Sequence, residues 1–271
     1  MEKTAKYLIG DVANLMGLSR DTLRYYEKRG ILSSQRGDNG YRYYTDQDIS
    51  RLISILYQRK MDIRISDMEA LCSAESSVDG LTSIMEKRLE EERQAIRAHQ
   101  QNIARLQLTQ AECEDIRCNL GEISLRNFPE AYIIIPHTEL SQSVEQWFSY
   151  SRRYSGLDMM YTFSEFTWNR KGLELYTEHK NSQLVLFEHL KDYVDYHIGA
   201  DTPQTPRSML CVTSCCACHS IVPSPDDLFP MIDWAEKQGL LISRHFYSTY
   251  VSRGRFEGMD KTFVRIYIPV F

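Results

Sequence analysis

A long segment without proline constrains the fold of this chain more than any other feature of its sequence. Residues 78–116 contain no proline, and their single glycine, Gly80, lies near the start. Apolar and charged residues alternate with helical period, which predicts one continuous helix over residues 78–118. Two rows of residues recur every seven positions: Leu89, Ile96 and Ile103, and Met85, Glu92, His99, Leu106 and Cys113. This heptad pattern is typical of a coiled coil and predicts a homodimer, with His99 an interface residue that fixes the register rather than a ligand.

Charge and aromatic residues are distributed unevenly on the two sides of this helix. Residues 1–64 hold 12 Lys and Arg against 8 Asp and Glu, whereas residues 65–271 hold 20 against 29. Of the 30 aromatic residues, 23 follow residue 120. A basic N-terminal part on an acidic protein indicates contact with a polyanion at one end only. We therefore expect three parts: a basic N-terminal domain over 1–77, the dimerisation helix over 78–118 and an aromatic-rich C-terminal domain with a different role over 121–271.

Composition excludes several other classes of protein. Hydrophobic residues make up 42% and charged residues 25% of the chain, as in ordinary globular proteins. No apolar run approaches the ~20 residues that span a bilayer, and the first residues lack the apolar stretch of a signal peptide. The sequence thus predicts a cytoplasmic protein with no membrane partner, and an odd count of seven cysteines argues against a disulfide framework.

The N-terminal segment predicts two short helices joined by a turn. Ile9, Val12, Ala13 and Met16 recur at helical spacing, and Gly17 follows where a helix end favours a left-handed residue. Ser19 is placed to cap a second helix that carries Thr22 in its first turn. This arrangement is typical of a helix-turn-helix, although Leu23-Arg-Tyr-Tyr alone also fits an apolar stripe with a solvated arginine. The candidate contacts on the second helix are Arg20, Arg24, Tyr25 and Tyr26.

A second basic element follows at once. Asn39-Gly40 lies between β-prone aromatic residues, which predicts a short hairpin, or wing. Arg36, Tyr41, Arg42 and Tyr43 would lie on it and reach phosphate oxygens. Two such elements in succession favour DNA binding over the apolar-stripe interpretation.

Four segments together resemble the winged helix-turn-helix of MerR-family transcription regulators, over about residues 7–75. They are Ile9-Gly-Asp-Val-Ala, Leu23-Arg-Tyr-Tyr-Glu, Gly30-Ile-Leu and Gly40-Tyr-Arg-Tyr-Tyr. The resemblance implies an activator that binds a palindromic promoter as a dimer and distorts the DNA so that RNA polymerase holoenzyme can initiate. The DNA-binding residues would be Ser19, Arg20, Thr22, Arg24, Tyr25, Arg36, Tyr41, Arg42, Tyr43 and Arg59 or Lys60. Many relatives carry a glycine where this chain has Met61-Asp62-Ile63, and Asp62 can adopt the same left-handed conformation.

The residues after 121 contain a weak internal repeat. The predicted elements are, in chain order, a strand at 129–136, a helix at 144–154, strands at 159–168 and 183–193, a strand at 209–222, a helix at 226–238, and strands at 243–251 and 262–270. This duplicated strand-helix-strand-strand unit would form a cup between two sheets, and it makes the whole chain an α+β protein. The element order and the closing Ile266-Tyr-Ile-Pro-Val resemble the gyrase-inhibitor-like effector domain of multidrug-sensing MerR-family members.

That second resemblance implies a pocket for a bulky hydrophobic or cationic small molecule. The candidate ligand-binding residues are Trp147, Tyr161, Phe163, Glu165, Trp168, Phe246, Tyr247 and Tyr250. Relatives that bind cationic drugs carry a glutamate on the strand after the second helix, where this chain reads His245-Phe-Tyr-Ser-Thr-Tyr. Recognition would then rest on aromatic faces alone, or on Glu165 as a substitute.

The cysteines offer an alternative, a metal- or thiol-redox-responsive regulator. Cys211, Cys215, Cys216, Cys218 and His219 lie close together, and thiolates with imidazole bind zinc or copper. The same segment also fits a strand, on which Cys216 and Cys218 share one face and Cys215 lies on the other. Cys113 and Cys118 have open spacing in an acidic segment. The leading interpretation remains a regulator with no metal and no cofactor, and the absence of a nucleophile or carboxylate motif argues against an enzyme.

Overall fold

The computed structural model describes residues 6–37, 40–73, 78–172 and 174–271. The chain divides into two compact units, Met1–Ile96 and Arg97–Phe271. In the described ranges, no helix has both the length and the apolar character needed to cross a membrane.

The N-terminal unit is helical with a small sheet. Its elements are β1 (Tyr7–Leu8), α1 (Ile9–Met16), α2 (Arg20–Lys28), β2 (Gln35–Arg36), β3 (Arg42–Tyr44), α3 (Asp46–Lys60), α4 (Ile65–Ser73) and the start of α5 (Val78–Asn119). The antiparallel sheet has the order β1-β3-β2. The core of this unit contains fully buried side chains, among them Val12, Leu23, Ile31, Tyr44 and Leu52.

Local signals set the helix boundaries of this unit. Gly17 ends α1 at φ 66°, and the Ser19 hydroxyl accepts a 3.0 Å hydrogen bond from the Thr22 amide at the start of α2. Both predictions are confirmed. Asp62 takes the left-handed φ of 56° between α3 and α4, as expected for the position where relatives carry glycine.

The predicted wing is present as the β2–β3 hairpin. Gln35 pairs with Tyr43 and Arg36 with Arg42. Gly40 has a φ of 77°, and its amide donates to the carbonyl of Gly37. Asn39, the other half of the predicted turn, lies outside the described residues.

Helix α5 contributes residues to both units. Ile84 and Met85 pack against the N-terminal core, whereas Gln101 and Ala104 are buried within the C-terminal unit. The row Leu89, Ile96 and Ile103 is more than half exposed at every member. An apolar row left in water along the helix is what the coiled-coil prediction requires of a single chain.

The C-terminal unit repeats one order of elements. They are β4 (Ser124–Asn127), β5 (Ala131–Thr138), α6 (Leu140–Arg153), β6 (Tyr161–Lys171), β7 (Glu174–Phe187), β8 (Leu210–Cys218), α7 (Pro225–Lys237), β9 (His245–Phe256) and β10 (Met259–Pro269). Short 3-10 helices cover Leu157–Met159 and Glu188–Tyr193, so the strand predicted over 183–193 ends earlier. From β5 onward the strand-helix-strand-strand order occurs twice.

The two predicted sheets are in fact one. The strands form a seven-stranded antiparallel sheet in the order β4-β8-β10-β9-β6-β7-β5. Strands β6 and β9 join its halves, with Phe163 opposite Thr249 and Thr167 opposite His245. Backbone hydrogen bonds between β6 and β9 therefore join the two predicted sheets into one.

Candidate functional site

Helix α2 presents cationic and hydroxyl side chains next to its N-terminus. Ser19 and Thr22 hydroxyls lie 2.8 Å apart and help cap the helix, so these two predicted DNA-binding side chains already have intramolecular partners. Arg20, Arg24 and Tyr25 are exposed. Arg24 forms a 3.0 Å ion pair with Asp21 at the surface, and such exposed pairs are weak enough to exchange for a phosphate.

The wing is tied to α2 through one carboxylate. Glu27 accepts a 2.7 Å hydrogen bond from the Tyr44 hydroxyl and pairs with the Arg42 guanidinium at 3.0 Å. Burial, followed by this hydrogen bond, raises the pKa of Tyr44 well above its ordinary value. Arg42 therefore fixes the position of β3 relative to α2, in addition to any contact it makes with DNA.

The remaining predicted DNA-binding residues lie on the wing and at the end of α3. Arg36, Tyr41 and Lys60 are exposed. The Lys6 ammonium lies 5.7 Å from the ring centre of Tyr43. Arg59 donates a 2.8 Å hydrogen bond to the carbonyl of Ile63, which supports the turn at Asp62.

The C-terminal unit contains a cavity of about 520 Å³. Its wall is formed by α5, α6, the Leu157–Met159 turn, β6, β9 and the segment after β8, with lining residues Arg105, Leu108, Thr109, Glu112, Leu140, Ser143, Val144, Trp147, Asp158, Met159, Met160, Tyr161, Thr162, Ser164, Ile221, Ser248, Tyr250 and Val251. A largely apolar wall with a few polar groups is typical of small-molecule sites.

Three of the eight predicted ligand-binding residues line this cavity: Trp147, Tyr161 and Tyr250. The structure places Phe163, Trp168 and Phe246 in the core instead, each at most 4% exposed. Phe246 stacks on Phe166 with ring centres 5.1 Å apart, and Trp168 donates a 2.9 Å hydrogen bond to the Ser243 carbonyl. Because neighbouring residues of a strand point to opposite faces, aromatic content alone does not identify which rings face the cavity.

Tyr247 and Glu165 also lie away from the cavity. The Tyr247 ring packs 5.1 Å from that of Phe128. The Glu165 carboxylate accepts a 2.6 Å hydrogen bond from Asn181 and lies 2.8 Å from Nδ1 of His245. Glu165 therefore has partners on two neighbouring strands and does not supply the acid of the cavity.

One of the two acids that line the cavity is Glu112, on α5. The Tyr161 hydroxyl donates to its carboxylate, and burial raises the pKa of Glu112 although this hydrogen bond opposes the shift. Burial and the same hydrogen bond raise the pKa of Tyr161 far above its ordinary range. Sequence reasoning missed Glu112, because a glutamate on a charged helix is usually solvated. The signal available in the sequence was its spacing, which places Glu112 on the same face of the helix as Ala104 and Leu108. The structure shows Ala104 to be buried and Leu108 half-buried.

A second polar group in the cavity wall is an ion pair that was likewise not predicted. Arg105 of α5 donates to both carboxylate oxygens of Asp158, at 2.5 and 2.7 Å. The Arg105 hydrogen bond holds the pKa of Asp158 below its ordinary value, against the opposing effect of burial. The two charges cancel, so the pair adds rigidity and no net charge to the wall.

The cysteines of β8 are embedded in the sheet. Burial raises the pKa of Cys211 and Cys215 to about 12 and that of Cys216 to about 11, and it raises that of Cys218 further. Thiols with raised pKa are poor nucleophiles and poor metal ligands. Within the described ranges, no three His, Cys, Asp or Glu side chains converge as a metal site requires. Cys113 and Cys118 are exposed on α5.

Comparisons with known proteins agree with the geometry of the N-terminal unit. The family described as MerR HTH family regulatory protein matches residues 7–75. The HTH-type transcriptional regulator ZntR of Escherichia coli K12 is 27% identical over 121 residues, 44% of this chain and 86% of that protein. The HTH-type transcriptional regulator SkgA of Caulobacter vibrioides is 38% identical over 65 residues, 24% of this chain and 26% of that protein.

Among solved structures, the N-terminus of the Bacillus subtilis multidrug transporter activator MtaN is 26% identical, with a TM-score of 0.33. That match covers 37% of this chain and 96% of the other. The family match and the sequence relatives agree on one point: residues 7–75 are similar to the helix-turn-helix of MerR-family regulatory proteins.

Proposed function

We propose that this protein is a transcription activator that binds promoter DNA as a homodimer and responds to a bulky hydrophobic or cationic small molecule. The observation that carries the proposal is that α5 contributes side chains to both units. This helix supplies Ile84 and Met85 to the core of the DNA-binding unit, and it supplies Leu108 and Glu112 to the wall of the cavity. A ligand in the cavity thus contacts the same helix that the DNA-binding unit is built on.

DNA recognition would use α2 and the wing. The N-terminal residues of the second helix of a helix-turn-helix face base edges in the major groove, which assigns that role to Arg20 and Arg24. Exposed Tyr25, Arg36 and Tyr41 can donate to phosphate oxygens on either side.

Dimerisation would use the exposed apolar row of α5. Leu89, Ile96 and Ile103 lie on one face at heptad spacing, and Leu106 is exposed beside them. Pairing with the same row of a second chain removes these side chains from water. A two-fold dimer then requires a palindromic operator.

Activation would proceed by distortion of the promoter. If ligand binding shifts α5, the two DNA-binding units of a dimer change their spacing and bend the operator. Such a bend costs about 1–6 kcal/mol, a range that protein–DNA contacts can supply. RNA polymerase holoenzyme would then initiate at the distorted promoter.

The test of DNA binding begins with a pool of random duplexes from which the full-length protein selects its operator. We expect selected sequences to be palindromic, and fluorescence anisotropy on the selected duplex to show salt-dependent binding. Transcription from that operator should rise when tetraphenylphosphonium is added. Selection of sequences with no symmetry and no common pattern would overturn the proposal.

The test of ligand binding follows tryptophan fluorescence during a titration with tetraphenylphosphonium. Trp147 lines the cavity, whereas Trp168 is buried in the core and Trp234 lies on α7. We expect a saturable change in the wild type that is lost in Trp147→Phe and retained in the control Trp234→Phe. Equal loss in both variants would argue against the cavity as the binding site.

A further inference from the structure

Among the residues that the structure describes, one acid of the cavity wall has no cationic partner. Glu112 accepts the Tyr161 hydroxyl, and among the described residues it forms no ion pair. The other acid of the wall, Asp158, is held bidentately by Arg105. When Glu112 is ionised, the wall therefore carries one uncompensated negative charge.

The surroundings of Glu112 favour a large apolar cation over a metal ion. Trp147, Tyr161 and Tyr250 contribute aromatic rings, and Leu108 and Met160 contribute aliphatic surface. Ring faces attract cations, and an apolar wall strengthens an electrostatic interaction relative to water. A small hydrated metal ion would instead need several oxygen or nitrogen ligands, and the described side chains do not bring them together.

We propose that Glu112 is the residue that selects organic cations in the cavity, and that the bound cation competes with the Tyr161 hydroxyl for its carboxylate. This inference rests on the sensing role of the cavity proposed above. It places charge selection on α5 rather than on a strand of the sheet.

The competition has a structural consequence. Glu112 belongs to α5 and Tyr161 to β6, so their hydrogen bond is one of the contacts that hold the helix against the sheet. A cation that takes over the carboxylate exchanges this contact for one of its own. The raised pKa of Glu112 agrees with such a role, because an empty apolar wall disfavours the ionised form and a cation restores it.

The experiment compares two ions of matched shape and opposite charge, tetraphenylphosphonium and tetraphenylborate. Both are titrated into the full-length protein and followed by tryptophan fluorescence. In Glu112→Gln we expect tetraphenylphosphonium to bind roughly tenfold or more weakly, and tetraphenylborate to bind at least as well as in the wild type. Retained tetraphenylborate binding also reports that the variant is folded.

Glu165→Gln is the matched control. Glu165 is also hydrogen-bonded between elements of the same unit, yet it lies away from the cavity. We expect its affinity for both ions to equal that of the wild type. A larger effect of Glu165→Gln than of Glu112→Gln would overturn the proposal.

The outcomes separate this inference from the function on which it rests. If both ions bind the wild type and the ratio of their affinities is unchanged in Glu112→Gln, the cavity binds ligands but Glu112 does not select charge. If neither ion binds the wild type, the sensing role itself fails and the inference with it.

Discussion

The proposed DNA-binding surface and the cavity are built over very different distances along the chain. Near the start of α2, two polar contacts join residues three positions apart, Ser19 with Thr22 and Asp21 with Arg24. The contacts of Glu27 with Arg42 and Tyr44 span 15 and 17 positions. In the cavity, Tyr161 reaches Glu112 across 49 residues, and Asp158 reaches Arg105 across 53. A surface that meets a polyanion can be assembled locally, whereas a cavity that encloses a ligand needs elements from a whole domain. The two regions should therefore respond differently to perturbation.

The largest expected effect comes from removing a core side chain of the DNA-binding unit. Leu23 is fully buried between α1 and α2, so Leu23→Ala should cost about 2–5 kcal/mol of stability in that unit. We expect DNA binding to be lost while tetraphenylphosphonium affinity changes little. Anisotropy with the selected operator and tryptophan fluorescence measure the two separately.

Leu15→Ala is the control for that variant. Leu15 lies on α1 of the same unit and is 65% exposed, so its truncation should leave both activities intact. If Leu23→Ala abolished ligand binding as well, the two units would unfold together and would not respond independently to perturbation.

A smaller effect is expected from Arg20→Ala on α2, the proposed recognition helix. Loss of one exposed cation should weaken operator binding about tenfold and reduce the dependence of log K on log salt by about one ion. Arg207→Ala, an exposed arginine of the C-terminal unit, is the control and should change neither quantity. An unchanged salt slope in Arg20→Ala would remove Arg20 from the interface.

The pH dependence of ligand binding tests the charge of Glu112 in the cavity wall. Burial raises the pKa of Glu112 above its ordinary value of 4.5, and a bound cation would lower it. Tetraphenylphosphonium affinity should therefore rise with pH until the pKa of the empty protein is passed, and then level off. Fluorescence titrations from about pH 5 to about pH 8 measure this.

Other titratable groups around Glu112 should not produce the same trend. Arg105 holds Asp158 ionised by keeping its pKa low, and the pKa of Tyr161 is far above this range. A trend that persisted in Glu112→Gln would assign the titration to another group.

The same difference in sequence separation explains which features could be predicted from the sequence and which could not. The boundaries of α1 and α2 follow from Gly17 and Ser19, because a left-handed residue and a capping hydroxyl act on their own turn. The β6–β9 pairing that joins the sheet connects residues far apart in sequence, and no local signal specifies it. The Glu188–Tyr193 helix was predicted as strand for a related reason, since short apolar runs are ambiguous without their neighbours.

The cavity shows most clearly which features could not be predicted from the sequence. Trp147, Tyr161 and Tyr250 were predicted from their chemistry, and the side chains that give the wall its charge were not. Glu112 lies on α5, where the heptad row Leu89, Ile96 and Ile103 marks a different face of the helix as apolar. Its role emerges only once the fold places Tyr161 beside it.

The smallest expected effect separates stability from DNA binding within one unit. Gly10 is the second residue of α1, and a Cβ there would come within 3.1 Å of Arg20 Nη2. The end of a flexible arginine can shift, and alanine is a better helix former than glycine, by about 1 kcal/mol in a helix interior and by less in the first turn. Gly10→Ala should therefore raise the thermal stability of the N-terminal unit while weakening operator binding by less than about threefold through the displaced guanidinium. Circular dichroism melts and anisotropy measure the pair, and Asn14→Ala on the exposed face of the same helix controls for helix propensity alone. A loss of operator binding as large as that of Arg20→Ala would mean that the position of the guanidinium, and not only its charge, decides recognition.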